Sequence, residues 1–236
     1  QVGQTAIAHL YEHMAFKGTR TVGTKDYDKE KPLLDELSRV GTALDQKQRD
    51  LAAKHAPPTA AEQAEVEGLQ KRMADLQTQA GQFVVGNEMA LLYQRHGGVG
   101  LNASTGKDLT RYTISLPANR LPLWAAIESD RMANPVLREF YKERGVVIEE
   151  WRGRLGAGSR VNDQQVPVLY YKSRYADRTP IGKPEIIRNA PTQRLRDFYN
   201  TWYRPELMAV VVVGLPWTFF AMSHSNWEHV VSCLTN

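Results

Sequence analysis

Ala56-Pro57-Pro58 separates two long stretches of helical periodicity, and that break restricts the fold more than any other local feature. From Tyr27 towards His55, the residues Leu33, Leu37, Val40, Leu44 and Leu51 recur at spacings of three, four and seven. After the break, Val66, Leu69, Met73, Leu76, Ala80 and Phe83 alternate threes and fours. Each set lines one stripe of an α-helix. Proline ends the first helix because it lacks an N–H and restricts the residue before it. Thr59-Ala60-Ala61-Glu62 has the form of a capping box that starts the second. Two stripes joined by so short a break predict an antiparallel helical hairpin over about 27–85, a packing arm with no chemistry, the alternative being a partner-docking arm.

Other segments are shorter. Thr5 to Phe16 reads as a helix stopped by Gly18 and Thr19. Gly97-Gly98-Val99-Gly100 ends a further helix, and Leu101 to Thr105 reads as a strand. Gly106-Lys107-Asp108 forms a turn, and Thr110 to Leu116 is a strand with Tyr112, Ile114 and Leu116 on one face. Helices are expected over Pro122–Met132, Val136–Arg154, Asp163–Tyr175 and, capped by Thr192, up to Tyr203. Gly156 to Ser159 and the region of Pro180, Gly182 and Pro184 read as loops. Met208 to Val213 is apolar and β-branched, so a buried strand is expected. Residues 215–236 contain no Lys or Arg, although the chain has 30, and show no periodic element. They read as an atypical tail.

Composition excludes several classes. The chain has 236 residues, enough for a core, and no apolar run of the length that spans a bilayer. Its formal charge of +4 is spread along mixed helical faces, which argues against a nucleic-acid surface. A single cysteine, Cys233, permits no internal disulfide or Cys-based zinc site. Gly100 to Gly106-Lys107 has one residue too many for a phosphate-binding loop, and Asp108 replaces the needed hydroxyl. No G-x-S-x-G is present, which leaves serine hydrolase chemistry without its usual signature.

His9-Leu10-Tyr11-Glu12-His13 carries the chemistry. Four helical residues advance the azimuth by about 400°, so His9 and His13 stand one turn apart on nearly one face. Two imidazoles so placed suit zinc, and Glu12 lies close enough to act as a general base towards a zinc-activated water. This is the H-x-x-E-H order of inverzincins. Catalytic zinc takes a third protein ligand. Glu139, Glu143, Glu149 and Glu150 all fall in the later helix, with Glu139, Glu143 and Glu150 near one face, and spacing does not choose among them.

Four blocks resemble the insulinase (pitrilysin) family, which includes the mitochondrial processing peptidases; the pattern is most similar to bacterial zinc proteases of that family. They are Ala8 to Thr19, Gly100 to Thr105 with Asp108, Thr110 and Tyr112, Glu143 to Glu150, and Phe198 to Pro205 leading into Val210 to Gly214. They occur in the family's order over residues 5–214. The resemblance implies an α+β fold, an antiparallel sheet covered by helices, with the hairpin of 27–85 inserted. Residues 1–214 would then be a partial N-terminal peptidase domain, followed by the tail of 215–236. It implies His9, His13 and Glu150 as ligands of one Zn2+, Glu12 as base, and Glu143 as an auxiliary acid supporting the site. It makes Asn102, Ala103 and Ser104 part of an edge strand that takes extended peptide by β-strand addition. The activity implied is zinc-dependent endopeptidase; the partners implied are a peptide substrate and a second, related half-domain or subunit. Relatives of this bacterial type are commonly exported to the periplasm. The alternative reading is a non-catalytic peptide-binding or scaffold subunit, or an inactive fragment. Members of that kind typically lose the motif, whereas His9, Glu12, His13 and Glu150 are all present. Two departures stand out: Leu215 follows Gly214 where the family usually continues with Asp, and the strands that precede the histidine helix are missing.

Overall fold

Helix α1 (Ile7–Met14) is an apolar rod that presents a polar edge. A computed structural model of the chain describes residues 5–54, 56–214 and, for the backbone, 220–223. Ile7, Leu10, Tyr11 and Met14 of α1 are buried, so the helix runs through the interior.

The hairpin follows as α2 (Tyr27–Ala53) and α3 (Ala60–Gly81). Asp26 caps α2 by accepting from the Lys29 N–H at 3.2 Å. At α3 the capping box is complete: the Glu62 N–H donates to Thr59 Oγ1, and the Thr59 N–H donates to Glu62 Oε2. The ion pairs Lys47–Glu65 and Arg72–Glu36 run in opposite sequence directions, which fixes the helices as antiparallel. Leu37, Val40, Leu76 and Ala80 form their shared apolar seam. Thr24 and Val84 form an antiparallel bridge at the base, flanked by hydrogen bonds from Lys25 to Phe83 and from Val85 to Gly23. The hairpin therefore leaves and rejoins the fold at one place. Its inner face meets the body at Gly41, where a β-carbon would fall 2.1 Å from the Tyr141 ring. That close approach accounts for glycine in the middle of a helix, where it is otherwise destabilising.

Helix α4 (Glu88–Arg95) leads into β1 (Val99–Thr105), which pairs antiparallel with β2 (Thr110–Ser115). The register places Ala103 opposite Tyr112 and Thr105 opposite Thr110, and an irregularity lies between Val99 and Asn102. Gly100 takes a left-handed φ of 69° there. The Gly106 N–H closes the turn on Leu109 O. Tyr112 and Ile114 face inward while Arg111 and Thr113 face out, as the alternation requires. Helix α5 (Leu121–Ala133) packs beneath, joining Met89, Tyr93 and Ile127 with Ile114 and Leu116.

Helix α6 (Phe140–Gly153) is shorter than the expected 136–154. Glu139 sits at φ 56°, in the left-handed region, and the chain over Val136 to Glu139 is not helical. This non-helical stretch places the Arg138 side chain in the interior. Helix α7 (Ala157–Leu169) starts within the stretch expected to be a loop and ends before the expected Tyr175. It buries no residue, so no packed face marked its limits. Helix α8 (Pro184–Asn189) replaces part of another expected loop; Pro184 occupies the first helical turn, where a missing N–H is harmless. Helix α9 (Thr192–Trp202) ends as expected, but Pro191 is its N-cap, and the Thr192 hydroxyl instead meets Ser38 of α2.

Strand β3 (Ala209–Val212) is not the buried strand expected over Met208–Val213. Val211 is 70% exposed. Among the described residues it pairs with β4 (Phe220–Ser223) alone, and the face that Val211 presents is exposed. Strand β4 also corrects the expectation that nothing periodic follows Gly214; the rest of the tail lies outside the described residues. Among the described residues the result is an α+β arrangement of two small antiparallel sheets among helices, with the main core between α1, α6, α8 and α9. No helix among the described residues is long and apolar enough to cross a membrane.

Candidate metal centre

Helices α1 and α6 lie against each other through Ile7, Leu10, Phe140 and Val147. That packing turns the polar edge of α1 towards Glu143 and Glu150. Those two residues are seven apart, so both face α1 from the same side of α6.

His9 Nε2 lies 3.4 Å from Glu150 Oε2, and His13 Nε2 lies 3.5 Å from the same oxygen. The two imidazole rings are 4.9 Å apart and nearly perpendicular. One ligand atom from each of His9, His13 and Glu150 falls within 4.8 Å of the others, so the three side chains form a group that can hold a metal ion. His9 is almost fully buried, while His13 and Glu150 remain partly open. A closed inner ligand with two more accessible ones leaves a side from which another molecule can approach.

Around this group is a shell of charge. His13 Nδ1 is 3.3 Å from Glu143 Oε2. The other oxygen of Glu143 receives Lys17 Nζ at 2.6 Å, and Lys17 also reaches Glu139 Oε2 at 3.0 Å. Burial pushes the Glu143 carboxyl up, but hydrogen bonds from His13 and Lys17 outweigh it and hold the group below the usual carboxylate range. The hydrogen bond to Glu143 raises the pKa of His13, whereas burial lowers that of His9. Arg154 pairs with Glu150 Oε1, the oxygen turned away from the histidines. Glu12 accepts from the Thr105 hydroxyl of β1.

The tautomer of His13 follows from this shell. An anionic Glu143 accepts only, so Nδ1 carries the proton and the neutral ring offers the lone pair of Nε2. That lone pair then faces another lone pair on Glu150 at 3.5 Å. Two acceptors at that distance repel unless a proton or a metal cation lies between them. Tetrahedral zinc with bonds of 2.0–2.1 Å would separate its ligands by about 3.3 Å, close to both observed spacings. The residues present therefore fit a zinc ion. His9 Nδ1 is buried and has no hydrogen-bond partner among the described residues.

Asn102, Ala103 and Ser104 lie on β1, remote in sequence from both helices. Asn102 and Ser104 are exposed and Ala103 is half-buried. Among the described residues β1 pairs with β2 alone, which leaves its other edge open. Of the carboxylates left open by spacing, Glu149 is exposed and pairs with Arg152, and Glu139 meets Lys17 instead of the histidines. Sequence reasoning passed over Lys17, Thr105 and Arg154. Each acts through a contact that no local periodicity encodes, although Lys17 and Thr105 both lie inside the family-like blocks.

No family model matches the sequence. The fold is nevertheless that of insulinase-like proteins. The chain is a homologue of the proteins named PqqL within that class. It is 38% identical over 119 residues to the probable zinc protease PqqL of Haemophilus influenzae, a match spanning 48% of this chain and 13% of that protein. It is 35% identical over 137 residues to the probable zinc protease PqqL of Escherichia coli, spanning 55% of this chain and 15% of the relative. The crystal structure of the first half of the periplasmic protease PqqL from Escherichia coli matches with a TM-score of 0.55 at 24% identity, covering 87% of this chain and 32% of that one. The chain thus corresponds to a minor part of the length of each of these three proteins.

Proposed function

We propose that the chain carries the zinc site of an endopeptidase that hydrolyses bonds in peptides or unfolded segments. The observation that supports this most directly is the convergence of His9, His13 and Glu150 beside Glu12. His9, His13 and Glu150 would hold the ion. Zinc bound there supplies Lewis-acid polarisation of a carbonyl and lowers the pKa of water. Glu12 is the base that takes a proton and passes it towards the leaving amine. Glu143 accepts from His13 Nδ1 and so keeps Nε2 free to ligate. The open edge of β1 at Asn102, Ala103 and Ser104 would take extended peptide by main-chain hydrogen bonds.

In this reading residues 1–214 are a partial N-terminal peptidase domain with the hairpin of 27–85 inserted. A second, related half would complete the chamber, in keeping with a structural neighbour described as a first half. Export to the periplasm is proposed by analogy with that neighbour, described as periplasmic.

The test is zinc per chain by elemental analysis, for the parent and for Glu150→Gln. Near one zinc in the parent and clearly less in the variant is the expected result, with peptide cleavage that a chelator abolishes. A folded parent without zinc would refute the proposal. The open β1 edge also favours a second reading, peptide binding without hydrolysis. Peptide binding with no cleavage by the zinc-loaded chain would select it.

A further inference from the structure

Glu12 is held by a chain of hydroxyls that runs in one direction. Its Oε2 accepts from Thr105 Oγ1. Thr105 Oγ1 is 3.3 Å from Thr110 Oγ1, and Thr110 Oγ1 accepts from the Tyr203 hydroxyl at 3.2 Å. An ionised carboxylate has no proton to give, and each threonine hydroxyl has one. The Thr105 proton is therefore committed to Glu12. Thr110 must then be the donor to Thr105, and Tyr203 the donor to Thr110. All three O–H dipoles point towards the carboxylate, and hydrogen bonds in series polarise one another.

The parts of this chain come from three places. Thr105 and Thr110 are directly opposed at the end of the β1–β2 ladder, beside its turn. Tyr203 follows the last turn of α9, and its ring lies 4.5 Å from that of Tyr11, the residue before Glu12. The hydroxyls thus tie the helix bearing Glu12 to the strand whose open edge is assigned to peptide.

We propose that Thr105 is a positioning residue for Glu12, supported by Thr110 and Tyr203, and that it sets the carboxylate relative to β1. This inference rests on the reading of Glu12 as the base. The strand that aligns the peptide and the group that moves the proton would then be held in one piece. Misplacing a reacting group by a small distance lowers turnover without weakening binding.

The experiment uses the full chain with Thr105→Val, Thr105→Ser and Tyr203→Phe. Thr105→Val keeps the shape and removes the hydroxyl; Thr105→Ser keeps the hydroxyl. With zinc loaded, Thr105→Val is expected to lower kcat roughly tenfold with KM within about twofold. Zinc per chain should be unchanged. Thr105→Ser should recover most of the loss, and Tyr203→Phe should show a smaller loss in kcat. Parent-like kcat in Thr105→Val, or a Thr105→Ser variant as impaired as Thr105→Val, would overturn the proposal. With metal stripped, melting temperatures of Thr105→Val, Glu12→Ala and the double variant give a second readout. The double variant should lose less than the sum of the single losses; additive losses would overturn the proposal. Should Thr105→Val fail to fold, Tyr203→Phe and Glu12→Ala make the same cycle, because both belong to the hydroxyl chain. Melting needs no turnover, so a parent that binds zinc but cleaves no peptide would count against the proposed function alone.

Discussion

Arg138 and Glu30 meet in the interior, Nε to Oε1 at 2.6 Å, although 108 residues separate them. Their side chains are 1% and 0% exposed. The terminal nitrogens of the Arg138 guanidinium donate to the carbonyls of Lys17, Thr19 and Val22 at 2.8, 2.7 and 3.3 Å. The loop leaving α1 is therefore wrapped around one buried cation. Gly18 at φ 91° is what lets the loop turn so tightly, because a β-carbon there would fall 2.2 Å from Val22 O. Replacing Arg138 with Leu would leave the Glu30 carboxyl without its partner in the core, together with three carbonyls. Urea unfolding should show a loss of about 3–5 kcal/mol, and Arg138→Leu combined with Glu30→Leu should be less destabilised than Arg138→Leu alone. A loss under about 1 kcal/mol would mean that water reaches this pair.

Lys17 bridges Glu139 and Glu143, and Glu143 orients His13. Lys17→Met keeps the aliphatic stem and removes the cation. Zinc affinity, measured by competition with a chromogenic chelator, should fall about 10–100-fold, the range for groups that support a metal ligand from behind. Unchanged affinity would show that Glu143 holds its place without Lys17.

The hairpin seam is separate from the core that carries the histidines. Leu76 is 1% exposed within that seam. Leu76→Ala should cost about 2–5 kcal/mol in unfolding while zinc per chain stays at the parent value. Loss of zinc together with stability would show that the arm and the site fold as one unit.

Asp130 offers a pH dependence away from the metal group. Burial pushes its carboxyl up, but hydrogen bonds from Thr19, Thr21 and Asn134 outweigh it and hold the group below its ordinary value of 3.8. A depressed folded pKa means that the stabilisation is complete above the unfolded value and disappears as pH falls through the folded one. The stability gap between parent and Asp130→Asn should therefore be constant above about pH 5 and narrow below about pH 4. A gap that widens on acidification would contradict this assignment.

Local chemistry made much of the molecule readable. Leu37, Val40, Leu76 and Ala80 meet as their spacing required, and Thr59 with Glu62 caps α3 as the four-residue pattern implies. The alternation of Tyr112 and Ile114 survives in β2 because one face of that strand is covered. Where no face is covered, as in α7 and β3, periodicity carried no boundary or burial information, and both were misjudged.

His9, Glu12 and His13 share one helix edge because 3.6 residues make a turn, and any sequence with that spacing on a helix would place them so. Which carboxylate joins the two histidines was decided by packing. Spacing left Glu139, Glu143, Glu149 and Glu150 open; contact between α1 and α6 brings Glu150 to both imidazoles, gives Glu143 to His13, and leaves Glu139 to Lys17. The partners of Arg138, Lys17 and Thr105 lie about a hundred residues away in the chain. Side-chain periodicity is a property of one element, whereas these contacts exist only after two elements have closed on each other.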